Sequence, residues 1–392
     1  MEAQREQEEP LTVDQEYELW KTNVPLMYDF VSETRLTWPS LTAQWLPGSE
    51  EDTRQYMILG THTSGEEVDY LKVAALDLPD EVVTGEANDD NRRTKSNIKI
   101  VKKFEHDGEI NRARYMPKDS NIIATINGEG NVSIYDRSKS RSDGLRTTLK
   151  YHKENGYGLS FNPNVSNELI SGSDDFTIAL WDIDSGSKSP KSVWDNIHSD
   201  IVNDCSWHHF DENLFGSVSE DSTLKLHDKR STSKVINTIQ AKAAFNTLAF
   251  SKHSANLFAA AGLDTNIYLY DRRQTTKPLH VMAGHEDAIT CLQFHPKEDG
   301  ILVSGGADRR VILWDLAEIG AEQQPDEADD GSPEILMIHA GHRSAINDFT
   351  LHPTIPWLSA SVEEDNVVQV WKCSKNLSRV GGTPEIDTKM LQ

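Results

Sequence analysis

Four positions recur in constant register six times along this chain, and no other feature restricts its fold as much. Six segments end in an aromatic residue or a histidine, usually followed by aspartate: Tyr135-Asp136, Trp181-Asp182, His227-Asp228, Tyr270-Asp271, Trp314-Asp315 and Trp371-Lys372. Twenty-nine residues before these terminal residues stand His106, His152, His198, Ala241, His285 and His342. Nine residues after each such anchor comes a large apolar side chain: Tyr115, Phe161, Trp207, Phe250, Phe294 or Leu351. Six residues before each terminal residue comes an acid: Glu129, Asp175, Asp221, Asp264, Asp308 or Asp365. A fixed period of this kind marks units that cannot bury their apolar faces singly, so the copies must stack on one another.

Within each copy apolar residues follow a strand-like pattern, as in Ile178-Ala179-Leu180-Trp181 and Val311-Ile312-Leu313-Trp314, with Gly, Asn, Asp or Ser between the runs. The anchors lie 46, 46, 43, 44 and 57 residues apart, near the period of about 40 to 45 residues of WD40 repeats. The chain resembles that family, which implies an all-β fold, a β-propeller. In that family the anchor His, turn Asp, a strand Ser or Thr and the terminal Trp form a buried hydrogen-bond network, so the five anchor histidines are expected to fix blades rather than bind metal or catalyse. Six copies cover residues 104–373, and Leu41–Leu46, Gln55–Thr61 and Tyr70–Leu78 read as strands of a seventh blade. Ring closure pairs strands from the two chain ends and removes exposed edges, which places the N-terminal segment beside the last blade. The expected division is an acidic tail over 1–10, a helical segment over 11–33, a seven-bladed propeller over 34–373 with an acidic insertion at 316–341, and a tail over 374–392.

Charge narrows the partners. The 392 residues carry 39 Lys and Arg against 63 Asp and Glu, a formal charge of −24, and phosphate backbones and anionic membranes need clustered cations. Neither nucleic acid nor a membrane is expected as a direct ligand; a basic partner is. A hydrophobic content of 37% and mean hydropathy of −0.57 come with no apolar stretch of membrane-spanning length, and Met1–Pro10 is acidic rather than signal-like, which reads as a soluble intracellular chain. Cys205, Cys291 and Cys373 match neither a disulfide framework nor a zinc spacing, and read as reduced core thiols. The pair His208-His209 reads as an exposed turn without a third metal ligand. With no P-loop, nucleophile elbow or zinc-protease motif, no cofactor and no catalytic residue is expected.

Three departures from the repeat carry functional information. From Thr12 to Val24, Val13, Tyr17, Trp20 and Val24 recur at helical spacing behind a Thr12/Gln15 capping box, and Pro25 is expected to interrupt the helix. Beyond it Leu26, Met27 and Phe30 are expected to leave apolar surface free. The long interval before His342 lacks Lys and Arg from Val311 onward, holds Asp326, Glu327, Asp329 and Asp330, and continues into Ile335-Leu336-Met337-Ile338. It is expected to connect the last two blades near the N-terminal helix. Acidic loop, apolar strip and amphipathic helix together describe a groove for a basic amphipathic helix.

The third departure is more specific. Thr37–Pro47, Gly108–Pro117, Tyr157–Ser160 and Glu364–Trp371 resemble the histone-binding WD-repeat subfamily, over about Val13 to Lys372. This group includes the retinoblastoma-binding proteins, the small subunit of chromatin assembly factor and subunit 2 of the type B histone acetyltransferase. The resemblance implies a non-catalytic subunit, found in nucleus and cytoplasm, that presents histones H3–H4 within a chromatin complex. Its implied partners are histone H4, histone H3, the catalytic subunit of type B acetyltransferase and other chromatin-complex subunits. It implies that the first helix of histone H4 lies on Leu26, Met27, Phe30, Met337, Ile338 and Val367, with Asn366 as a polar contact and Asp326, Glu327, Asp329 and Asp330 meeting basic side chains. Ser332-Pro333 stands where the family has a paired proline, and Met337 where it has an aromatic. A second implied site takes the histone H3 tail at the channel mouth, on Glu109, Asn111, Asn155, Tyr157, Asn203 and Glu364; Asn155 and Asn203 are amides where acids are usual, which predicts weak tail binding. The type B complex is the preferred assignment. Chromatin assembly factor, a deacetylase complex or a generic WD40 scaffold such as a ubiquitin-ligase substrate receptor are the alternatives.

Overall fold

The computed structural model describes residues 11–49, 51–84, 98–323, 331–377 and 380. Its strands form seven antiparallel sheets of four. From the channel outwards, blade 1 is Ala43–Trp45, Arg54–Leu59, Asp69–Asp77 and Lys99–His106; blade 2 begins with Ile110–Met116, blade 3 with Gly156–Phe161, blade 4 with Val202–Trp207, and blade 5 with Phe245–Phe250. Blade 6 is Ile289–Phe294, Ile301–Gly306, Val311–Asp315 and Ile335–His339. Blade 7 takes Ile346–Leu351, Leu358–Glu363 and Val367–Cys373 from the end of the chain and Tyr28–Arg35 from its start. Tyr28 pairs with Cys373 and Arg35 with Val367, so the ring closes by strand pairing as expected. Each inner strand packs on the inner strands of its neighbours around the circle.

The repeat's polar positions do what their spacing suggests in four blades. His152, His198, His285 and His342 put Nε2 within 2.6–2.7 Å of Ser171, Ser217, Ser304 and Ser361. The indoles of Trp181, Trp314 and Trp371 donate to Ser171, Ser304 and Ser361, and His227 stands in for Trp at Ser217. Nδ1 faces Asp175, Asp221 and Asp308 in three of them. Blade 7 departs: the partner of His342 is Glu363 at 2.8 Å, while the Asp365 backbone N–H donates to Ser344. Its longer side chain lets an acid two residues earlier reach the same imidazole. Glu129 likewise serves its own turn by accepting from Asn131, and Asp264 accepts from Tyr268 where Ala241 replaces the anchor.

The repeat also carries a second histidine position. Ten residues after their anchors, His208, His295 and His352 are buried, and each Nδ1 accepts backbone N–H groups of the following turn. His208 also bonds the Ala255 carbonyl at 2.9 Å, so it is a buried turn anchor and not an exposed loop residue. The three cysteines are free and buried.

His227 supplies a test. It stacks on Phe215 at 4.7 Å, and burial, with His198 nearby, pushes its pKa down to about 3. A histidine whose folded pKa lies below its unfolded value contributes stability that is full above about 6.5 and is lost as pH falls from there towards 3. The urea midpoint should therefore fall between pH 7 and pH 5, and His227→Phe should fall less steeply over that interval. Parallel pH profiles for the two proteins would contradict this assignment.

Candidate functional site

The N-terminal helix, α1, spans Val13–Met27. Thr12 caps it: its hydroxyl oxygen accepts from the Gln15 backbone at 3.4 Å while the Gln15 side chain accepts from the Thr12 backbone at 2.8 Å. Pro25 does not interrupt it. Only two residues follow Pro25 before the helix gives way to the closing strand, so the cost of its absent N–H falls in the last turn. That strand starts at Tyr28, so residues 28–33 are β rather than helical.

Tyr17, Trp20 and Val24 are buried in a core shared by blades 6 and 7. Trp20 Nε1 donates to the Tyr28 hydroxyl at 3.0 Å, and that hydroxyl lies 2.7 Å from His339 Nδ1. An indole N–H can only donate, so the Tyr28 hydroxyl accepts it and donates its own proton to Nδ1. The His339 proton then sits on Nε2, and the ring, stacked on Trp371 at 4.5 Å, is held neutral because burial drives its pKa well below the usual value. At the rim, Arg309 donates to Glu16 at 2.6 Å and the Arg343 guanidinium lies 3.9 Å from the Tyr17 ring centre. The helix is thus fixed along the outer strands of blades 6 and 7.

What this leaves outside differs from the expected floor. Leu26 is 67% exposed and Leu19, seven residues earlier on the same helical face, is 53% exposed. Met27 is half-buried against the core beneath α1. Phe30 is 2% exposed and packs between blades 7 and 1, because the period changes from 3.6 to 2 at Tyr28 and turns it inward. Met337 is buried under α1, and Ile338 packs instead with the core of blades 5 and 6. Asn366 and Val367 are half-buried at the far end of the closing strand: Val367 pairs with Arg35, seven residues from Tyr28, which is roughly 23 Å from the end of α1. Asp326, Glu327, Asp329 and Asp330 lie outside the described residues.

Two further segments reach the exposed end of α1. Ser374 donates its backbone N–H to the Met27 carbonyl at 2.9 Å, and Leu377 and Val380 pack with Met27 and Leu336 against the same core. The chain just after the propeller therefore belongs to the site; Leu377 and Val380, an apolar pair three residues apart, are its only trace in the sequence. The insertion lies inside blade 6, between its third strand Val311–Asp315 and its outer strand Ile335–His339, and not between two blades. Its described stem carries Glu318 and Glu322. It leaves the sheet at the end where α1 terminates, which follows from Trp20 packing on His339 and Met27 on Leu336.

At the channel mouth, Asn111 donates to Asn155 at 2.6 Å and Asn155 to the Tyr157 hydroxyl at 2.7 Å. Asn203 is turned aside, donating to Glu220 at 2.8 Å and to the Phe245 carbonyl at 3.0 Å. Glu109 lies 3.2 Å from His62, and Glu364 is exposed. The missing acids are replaced locally. Asp174 has a buried, unpartnered carboxylate oxygen, and burial together with Glu154 raises its pKa. Among the described residues no group of three His, Cys, Asp or Glu could hold a metal ion.

Seven blades with this hydrogen-bond signature and an N-terminal helix clasped by the closing strand define a WD-repeat propeller of a particular type. Sequence comparison agrees: residues 15–80 match a family described as histone-binding protein RBBP4 or a CAF1 complex component, and residues 144–182, 191–228, 276–315 and 333–372 match WD repeats. The first match begins in α1 and runs through the closing strand into blade 1. The chain is 59% identical over 400 residues to histone acetyltransferase type B subunit 2 of Candida glabrata, covering 99% of this chain and 95% of that one. It is 57% identical to the protein of that name from Eremothecium gossypii (97% and 90% covered) and 43% identical to that of Candida albicans (98% and 98%). The chain belongs to this family of histone-binding WD-repeat propellers.

Proposed function

We propose that this protein is a non-catalytic histone-binding subunit of a type B histone acetyltransferase, and that it holds the first helix of histone H4 beside α1. The observation that carries this reading is the coincidence of the H4-binding family match with α1, whose outward Leu19 and Leu26 are exposed while its inward face is packed. A basic amphipathic helix laid there would bury its apolar stripe on Leu19, Leu26, Met27, Leu377 and Val380 and meet the acids of the insertion. The enzyme's catalytic partner supplies the chemistry; this chain raises the local concentration of its substrate, and does so in nucleus and cytoplasm. Adding the full chain to that partner should lower the apparent KM for H4 with kcat little changed. Acetyl transfer by this chain alone, surviving repurification, would overturn the reading.

The channel mouth suits a second, weaker contact with a basic histone tail. Asp174, Glu154 and Glu220 favour it, and Asn203 contributes by orienting Glu220 rather than by meeting the tail. Asp174→Asn with Glu220→Gln should weaken an H3 tail peptide about tenfold, since a charge-assisted bond is worth about 1.5 to 3 kcal/mol. Asn203→Glu should bring no gain because it sets a second carboxylate against Glu220. Titration at fixed salt checks both, and a tighter Asn203→Glu complex would remove this assignment.

A further inference from the structure

The central channel holds an unexplained cation at the mouth opposite the tail site. A cavity of about 220 Å³ there is lined by Lys252 and His209, which follow the inner strands of blades 5 and 4, and by Gln44, Gln293 and Arg114. Deeper in the channel the charges are settled. Arg112 donates to Asp204 at 2.6 Å and Arg114 to Asp348 at 3.1 Å. Asp204 also accepts from the Cys205 backbone and Thr247, and Asp348 from the Ala43 and Phe349 backbones. Three cations therefore face two carboxylates whose oxygens are already engaged.

Lys252 is the surplus. Its ammonium has no hydrogen-bond or carboxylate partner among the described residues, and the surrounding wall lowers its pKa by desolvation. Beside it the His209 imidazole has no hydrogen-bond partner among the described residues. The side-chain oxygens of Gln44 and Gln293 accept from the Tyr115 and Leu351 backbones at 2.8 and 3.3 Å. Each amide NH2 is consequently the free end, and neither finds an acceptor among the described residues. An ammonium, an imidazole and two amide NH2 groups converge on one recess of a chain that is otherwise strongly acidic. Unpaired donors in a recess cost free energy that a multiply accepting anion recovers.

The geometry points to a binding site for a compact phosphate-class oxyanion at this mouth of the channel, held by Lys252 with His209, Gln44 and Gln293. A tetrahedral oxyanion offers acceptors in the several directions from which these donors approach, and the recess exceeds the roughly 30 Å³ that a single water occupies in liquid. This site is separate from both histone contacts and does not depend on them.

Calorimetric titration of the full chain with inorganic phosphate and with pyrophosphate is the test, alongside co-sedimentation with phosphatidylcholine vesicles with and without a phosphatidylinositol phosphate. Saturable binding of a soluble anion is expected, weakened at least tenfold by Lys252→Met, largely kept by Lys252→Arg and unchanged by Lys188→Met, an exposed lysine of a blade 3 loop. Phosphate should raise the melting temperature of the wild type and leave that of Lys252→Met unmoved, which separates ligand loss from misfolding. Binding to the phosphoinositide vesicles alone, abolished in Lys252→Met, would support the site with a lipid headgroup as the source. No saturable binding in any arm, or equal losses in Lys252→Met and Lys188→Met, would overturn it.

Discussion

Leu26→Asp should weaken the complex with a peptide of the first H4 helix by about 30-fold or more, and Leu19→Asp by a comparable factor. Burying a leucine contributes about 1.5 to 3 kcal/mol, and a carboxylate in the same contact adds an uncompensated desolvation cost, so a loss of about 2 kcal/mol is a conservative floor. In the free protein both leucines project into water, so folding stability should change by no more than about 0.5 kcal/mol. Binding and stability are thereby separated. Phe210→Asp, at an exposed apolar residue of blade 4, should leave affinity unchanged. Reversing Asp329 and Asp330 to Lys should cost less, about three- to tenfold, because rim pairs contribute about 0.2 to 1 kcal/mol each and are screened by salt. Fluorescence anisotropy at two salt concentrations distinguishes the contributions. Wild-type affinity in Leu26→Asp would remove α1 from the binding surface.

The fold is legible because the repeat's defining residues are the ones that hold each blade together. His152, His198, His285 and His342 must lie at a fixed distance from their serines, so their spacing encodes a geometry. The site is less legible. Leu26, Met27 and Phe30 are three apolar residues around a change from helical to strand period, and only the position of that change, at Tyr28, decides that Phe30 turns into the core while Leu26 stays outside. Met337 and Ile338 are neighbours on a strand and pack into different cores; a run of four apolar residues does not say which one meets the helix. Val367 enters the groove by resemblance alone, and the register with Arg35 carries it to the other end of the strand. The opposite error concerns 374–380, where a short turn with two apolar residues has no periodic signature and yet completes the surface around Met27.

Blade 7 joins stability to binding, and His342→Ala should lower stability by about 3 to 5 kcal/mol, because removing the imidazole strands a buried carboxylate and breaking a buried pair from one side costs about that much. Glu363 is 2% exposed and accepts from His342 at 2.8 Å, from the Arg343 backbone at 2.9 Å and from the Ser344 backbone at 3.4 Å. Burial alone would raise its pKa, but these bonds, led by that to His342, leave it below the usual glutamate value. His342→Ala with Glu363→Ala together should therefore be milder than His342→Ala alone. The sign of the acid dependence follows from the lowered pKa: the pair's contribution is present above the unfolded glutamate value of about 4.3 and is lost as pH falls below it. The difference in urea midpoint between wild type and His342→Ala should be full at pH 7 and narrow below about pH 4. Because the His342 ring lies 5.3 Å from His339, which packs on Trp20, the same substitution should loosen α1 and weaken the H4 peptide. Leu26→Asp should do the reverse, losing the peptide and keeping the midpoint. Equal stability of the His342→Ala single and double mutants would show that the carboxylate is not the source of the cost.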